Sequence, residues 1–173
     1  MKVLVTGGVR SGKSRHAESL LADAASVTYV AAGPVYDDAD WAARIAAHRA
    51  RRPATWSTEE TRDVAGVLRA AREPVLVDCL GTWLTGVVDD AGLWEEPVEE
   101  VEAHVLRLLG ATLAALTATP QPVVLVTNEV GLGVVPEHRS ARVFRDLLGT
   151  INQRVAEACD EVHLVVAGRV LRL

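Results

Sequence analysis

The sequence predicts an α/β fold, a mostly parallel sheet flanked by helices and closed by a C-terminal antiparallel hairpin. Three observations carry that prediction. Short aliphatic or β-branched runs recur at 3–6, 27–31, 74–78, 123–127 and 162–166 and alternate with longer stretches of helical periodicity. The first run ends directly in a glycine-rich turn that leads into a helix. The last stretch, 162–173, reads strand, Ala167-Gly168 turn, strand.

The elements follow in order. Helix signals lie at about 14–24, 40–50, 60–71, 97–117 and 139–158. The fourth helix opens after Glu96-Pro97, where proline suits the first helical turn, and Val98, Val101, Val105, Leu108 and Leu109 give it an apolar stripe. The acidic stretch from Asp89 to Glu102 reads as a solvated surface around that start. A chain of 173 residues, without internal repeat or low-complexity segment, fits one domain over 1–173.

Composition excludes several classes of function. The formal net charge of −5 provides no basic footprint for nucleic acid. No uninterrupted apolar run approaches the roughly 18 residues that span a bilayer. Met1-Lys2 leads straight into a core strand, so the expected location is cytoplasmic. Cys79 and Cys159 lack metal-ligand spacing and suggest neither a disulfide framework nor a zinc site.

Residues 7–14 read GGVRSGKS and fit the phosphate-binding loop pattern G-x-x-x-x-G-K-[ST]. Gly7 and Gly12 supply backbone geometry closed to other residues, and the N–H groups of Gly8, Val9, Arg10 and Ser11 can face an anion. Lys13 carries a point charge to the β- and γ-phosphates, and Ser14 offers its hydroxyl to Mg²⁺. In open α/β sheets the ligand lies beyond the carboxyl ends of the strands. The other residues there are Ala31, Ala32 and Gly33, then Asp78, then Thr127, Asn128 and Glu129. Asp78 is the expected second Mg²⁺ group, with a helix cap as its structural alternative. Asn128 and Glu129 divide evenly between a substrate or metal contact and a polar turn before Gly131 and Gly133.

The stretch 40–53, DWAARIAAHRARRP, places Arg44, Arg49, Arg51 and Arg52 around His48. Trp41, Ile45 and His48 share one helical face, so a packed structural histidine is the plain reading. So dense an arginine cluster instead suggests a phosphate clamp, and nearby cations favour the neutral, nucleophilic imidazole. Two mechanisms fit. Either the arginines form a kinase lid over a γ-phosphoryl group, or His48 attacks an α-phosphate to form a nucleotidyl-histidine. A nucleotide-responsive switch without transfer chemistry is a third class. Spacing alone does not choose among them.

Longer blocks do choose. VTGGVRSGKSRHAE at 5–18, RIAAHRARRPATWSTEE at 44–60, VDCLGTWLT at 77–85 and VTNEVGLGVVPEHRSARVFRDLLGTINQRVA at 126–156 closely resemble the bifunctional adenosylcobinamide kinase and adenosylcobinamide-phosphate guanylyltransferase family of cobalamin assembly. The resemblance implies a RecA-like fold and a homotrimer with sites near subunit boundaries. It implies phosphorylation of adenosylcobinamide from ATP or GTP, then transfer of GMP from GTP onto that corrinoid phosphate with release of pyrophosphate. The family's guanylylated histidine falls on His48. Its nucleotide contacts fall on the 7–14 loop, on Ala31, Ala32 and Gly33, on Arg49, Ala50, Arg51 and Arg52, on Glu60 and on Asp78. Gly86 departs from an asparagine common in relatives and is expected to alter a loop near the third strand.

The remaining polar residues carry weaker expectations. Arg139, Arg142 and Arg145 recur every three residues and suit a solvated face, a subunit interface or a phosphate site. His16, His104, His138 and His163 are expected to be structural or surface residues. Trp41, Trp56, Trp83 and Trp94 are expected to pack, with Trp41 or Trp56 as possible walls of a guanine pocket.

Overall fold

Alternating strands and helices build one seven-stranded sheet. The computed structural model describes residues 1–34 and 52–173. The expected helix at 40–50, with Trp41, Arg44, Ile45, His48, Arg49, Ala50 and Arg51, lies outside the described residues.

The elements are β1 (Lys2–Thr6), α1 (Lys13–Ser19), β2 (Val27–Ala31), β3 (Trp56–Glu60), α2 (Val64–Ala70), β4 (Val75–Asp78), α3 (Leu80–Ala91), α4 (Val98–Ala118), β5 (Val123–Val126), α5 (Arg139–Glu157), β6 (Glu161–Val166) and β7 (Arg169–Arg172). The strand order is β3-β2-β4-β5-β1-β6-β7. All neighbours run parallel except β6 and β7, which pair as the expected antiparallel hairpin.

Both sheet faces are buried, which is why the central strands read as continuous aliphatic runs. Leu4, Val30, Val75, Val77, Val123 and Leu125 point to one face and pack against α2, α3, α4 and α5. Val3, Val5, Tyr29, Leu76, Val124 and Val126 point to the other, with Ala17 of α1 and Leu21 just beyond its end.

Two elements differ from the sequence-based assignment. β3 reads WSTEE, with only Trp56 buried, so its polar residues mimic the start of a helix. It is nonetheless an edge strand because its backbone pairs with β2, from Trp56 beside Val27 to Glu60 beside Ala31. The helix expected from 60 starts at Val64, where the Asp63 carboxylate accepts the Gly66 amide at 2.8 Å.

The second difference is α3, for which glycine and β-branched residues leave a weak helical propensity. Its buried Leu80, Trp83, Leu84, Val87 and Val88 nevertheless recur at helical spacing, and packing against the sheet overrides propensity. Gly86 therefore lies within this helix and not in a loop. A Cβ there would meet Arg62 Nε at 2.9 Å, so the missing side chain gives Arg62 room to cross α3 and pair with Asp90.

Among the described residues, α4 is one helix long and apolar enough to cross a membrane. Its stripe Val101, Val105, Leu109 and Leu116 instead belongs to the core. Leu84 is fully buried at the centre of that core. Leu84→Ala is expected to lower stability by about 2–5 kcal/mol, measured as a reduced denaturant midpoint at unchanged slope.

Candidate active site

The first strand ends at Thr6 and the chain turns through residues 7–12 before α1 begins at Lys13. Gly7 has φ +157°, and a Cβ there would lie 2.4 Å from Val165 O and 2.7 Å from Ser11 Oγ. Gly12 has φ +98°, and a Cβ there would lie 3.4 Å from Gly168 Cα. Arg10 adopts φ +55° at the tip. The loop is thus folded tightly on itself and on the β6–β7 turn, whose Gly168 amide donates to Ser11 O at 2.8 Å. Ala167 and Gly168 both have positive φ, as a two-residue hairpin of this hand requires.

Lys13 is buried, and its Nζ donates to Gly8 O at 3.1 Å, so the ammonium folds back over the loop. Ser11 Oγ is buried without a hydrogen-bond partner, and Ser14 opens the first turn beside Lys13.

Asp78 ends β4, and the Tyr29 hydroxyl donates to its Oδ2 at 3.1 Å. Burial, reinforced by the Asp78 charge, pushes the Tyr29 hydroxyl far above its ordinary value, so it remains a neutral donor. Arg52 lies 3.6 Å over the Tyr29 ring and donates to Thr58 Oγ1 at 3.3 Å. Cys79 follows Asp78 through a cis peptide bond. Burial raises its thiol pKa, Asp78 adds to the rise and Lys13 opposes it, so both charges act on one inert sulfur.

The other expected positions lie along the same carboxyl edge. Ala31 and Glu60 are register partners, Ala32 is buried, and a Cβ on Gly33 would come 2.9 Å from Thr82 Cβ. His48, Arg49, Ala50 and Arg51 are outside the described residues. Trp56 is core, Trp83 donates its indole N–H to Arg62 O, and Trp94 donates to Asp89.

Sequence reasoning underrated the support beneath β5. Thr127 Oγ1 donates to Asn152 Oδ1 at 2.6 Å, and Asn152 Nδ2 donates to Asn128 O at 3.0 Å. The Glu129 amide then donates to Gly7 O, tying this segment to the phosphate loop. Glu129 Oε1 also accepts the Gly131 amide, the turn interaction foreseen for it. Asn152 was visible only as part of a long block, because nothing in its local pattern marks a clamp. Tyr29 gave no signal, since it reads as an ordinary strand residue.

The two histidines assigned to structure meet under α1. His163 is buried, its Nδ1 lies 2.8 Å from His16 Nε2, and its Nε2 lies 2.8 Å from Glu161 Oε2. The Glu161 carboxylate accepts from His163 Nε2–H, which leaves Nδ1 to accept from His16.

Fold and loop together define a nucleotide-binding protein of the phosphate-binding-loop class. Residues 3–173 match the family model described as cobinamide kinase / cobinamide phosphate guanyltransferase, and the chain belongs to that family. It is 46% identical over 176 residues to the bifunctional adenosylcobalamin biosynthesis protein CobU of Salmonella typhimurium, covering 97% of each chain. The CobU of Escherichia coli is 44% identical, again with 97% of each chain covered. The CobP of Pseudomonas aeruginosa is 42% identical, covering 97% of this chain and 94% of that one. Among solved structures, a type III secretion ATPase from pathogenic bacteria superposes with a TM-score of 0.56 at 12% identity, over 94% of this chain and 50% of that one. The assembled ATPase EscN from enteropathogenic E. coli does so with 0.52 at 11%, over 96% and 43%. These two likenesses concern the fold alone.

Two outcomes test this geometry. Gly7→Ala should lower the melting temperature and weaken binding of a fluorescent nucleotide, whereas Gly8→Ala, with nothing within 4 Å of its Cβ, should change stability by no more than about 0.5 kcal/mol. The second concerns pH. Burial holds the His16 pKa below the usual 6.5, with His163 and Arg172 adding to the effect. The folded state therefore binds this proton more weakly than the unfolded chain, and stability falls as pH drops below 6.5 toward the folded value. In His16→Gln the slope of stability against pH over that interval should flatten, read from denaturation at several pH values.

Proposed function

We propose that this chain is a bifunctional transferase that phosphorylates the hydroxyl of adenosylcobinamide and then guanylylates the resulting phosphate through His48. The observation that supports this reading is the phosphate loop between β1 and α1, with the Lys13 ammonium folded over it onto Gly8 O and the Asp78 carboxylate held by Tyr29 at the carboxyl end of β4. Membership of the cobinamide kinase and guanylyltransferase family gives that cleft its substrates.

In the kinase reaction the substrate hydroxyl oxygen attacks the γ-phosphorus of ATP or GTP. The bond to the bridging oxygen breaks, the hydroxyl proton passes to water, and the nucleoside diphosphate leaves with its charge held by loop N–H groups and Lys13. In the second reaction a His48 ring nitrogen attacks the α-phosphorus of GTP, and pyrophosphate departs. An oxygen of the corrinoid phosphate then attacks the guanylyl phosphorus, the P–N bond breaks, and His48 returns to neutral imidazole. Arg49, Arg51 and Arg52 neutralise phosphate charge in both reactions, while Ala31, Ala32, Gly33, Ala50 and Glu60 border the nucleotide.

A Mg²⁺ site fits the donors present. Ser14 would supply a hydroxyl and Asp78 a carboxylate, with phosphates and water as the other ligands of a magnesium ion. When bound, the ion supplies charge neutralisation at the phosphate oxygens. Cytoplasmic location and a homotrimer complete the proposal.

GTP labelled at the α-phosphate should leave an acid-labile label on the protein, and His48→Ala should leave none. An unlabelled wild type that still phosphorylates the corrinoid would favour the plain kinase with an arginine lid. Lys13→Ala should abolish both reactions in product assays, and Asp78→Asn should raise the Mg²⁺ concentration needed for half-maximal rate.

A further inference from the structure

The three arginines spaced along α5 have different occupations. Arg139 donates to Trp94 O at 2.6 Å and to Glu96 O, fastening the segment before α4. Arg142 donates to Pro136 O at 3.1 Å and to Glu137 O, closing the loop before its own helix. Arg145 does neither. Its Nη1 is buried with no hydrogen-bond partner, although the residue as a whole is only half-buried. A buried guanidinium N–H without an acceptor is costly, and an anion that reaches it relieves that cost by a charge-assisted bond.

Its place in the fold indicates which anion. Arg145 precedes Asn152 by seven residues on the same flank of α5, about 10 Å toward the helix N-terminus. Asn152 grips Thr127 and Asn128 at the carboxyl end of β5. Arg145 therefore stands beyond that end, on the helix that follows the segment whose Glu129 amide reaches Gly7 of the phosphate loop. The nucleotide phosphates already have the 7–14 loop, Lys13 and the proposed arginine clamp at 49–52, so a further cation on α5 is left for a different phosphate.

The neighbouring loop is unusually apolar for its exposure. Val130, Leu132, Val134 and Val135 are 38%, 91%, 94% and 66% exposed, at the same edge of the sheet. Such a patch marks a binding surface more often than a bare solvent face. A cation on the helix that this loop leads into, with exposed aliphatic side chains at the same edge, matches an acceptor that couples a large apolar ring system to one phosphate.

We propose that Arg145 and the exposed loop at residues 130–135 form the acceptor subsite, Arg145 holding the phosphate of the phosphorylated corrinoid and the loop holding its macrocycle. This assignment rests on the proposed guanylyl transfer to a corrinoid phosphate. It also gives the enzyme a way to favour the product of its first reaction as the substrate of its second.

Binding of cobinamide and of cobinamide phosphate, followed by corrin absorbance, tests the assignment without requiring turnover. The wild type should prefer the phosphorylated corrinoid by about tenfold or more. Arg145→Ala should bind both alike, with affinity for unphosphorylated cobinamide retained. Arg145→Lys, which keeps charge and most of the packing, should keep a reduced preference and guards against loss of fold. Leu132→Asp should weaken both corrinoids equally. Arg145→Ala that keeps the preference overturns the assignment, as does equal loss of both ligands by a folded Arg145→Ala or a wild type without preference. A change in sedimentation size of Arg145→Ala with the preference intact assigns the residue to a contact between copies and also overturns it. A wild type that binds neither corrinoid overturns the functional reading together with this one, whereas the other failures leave guanylylation from labelled GTP untouched.

Discussion

The bond from the Gly168 amide to Ser11 O joins the phosphate loop to the hairpin at the far end of the chain, and much of the site depends on that seat. A phosphate loop works only if its amides are held ready before the anion arrives, because freezing them on binding would cost conformational entropy. Here the freezing is done by packing. Gly7 lies so close to Val165 O that no side chain fits, and Gly12 rests on Gly168. β6 pairs with β1 along the strand that launches the loop, so loop and hairpin are aligned by the same register. The positive φ values at Ala167 and Gly168 then turn β7 back at the point where the loop needs a floor.

Around that seat, the polar groups are arranged to keep charge on few atoms. Tyr29 remains a phenol and donates to Asp78, Cys79 remains a thiol, and both are neutral because burial disfavours their ionised forms. Charge in the described cleft is thereby concentrated on Lys13 and Asp78. Arg52, stacked on Tyr29, brings a further cation to the ring that orients Asp78. The preorganisation this gives is electrostatic, with dipoles and charges fixed before phosphorus changes hands.

The histidine pair belongs to the scaffold. His163 bridges Glu161 and His16 and so ties β6 to the helix that follows the phosphate loop. Asn152 plays a comparable part on the opposite side of the sheet, gripping the end of β5 from α5. The two clamps hold the strands flanking the loop from different faces. A site at the edge of a sheet needs such support, because the segments beyond the strands have few ladder bonds of their own.

The sequence by itself determined the α/β class, the five aliphatic strands, the closing hairpin and the phosphate loop, because each is written in local periodicity or in residue types that few backbones tolerate. Its long blocks also identified the family. It did not disclose β3, whose polar residues become a strand only through pairing with β2, nor α3, whose weak propensity is overcome by burial of Leu80, Trp83 and Leu84. The closeness of Ser11 to Gly168, of Asn152 to Asn128 and of Tyr29 to Asp78 spans 157, 24 and 49 residues of chain. The three arginines of α5 are equivalent in sequence, yet Arg139 and Arg142 are occupied by carbonyls and Arg145 is not. Periodicity reports which residues share a face; only the tertiary structure decides what that face meets, since hydrogen-bond partners and dielectric are set by groups remote along the chain.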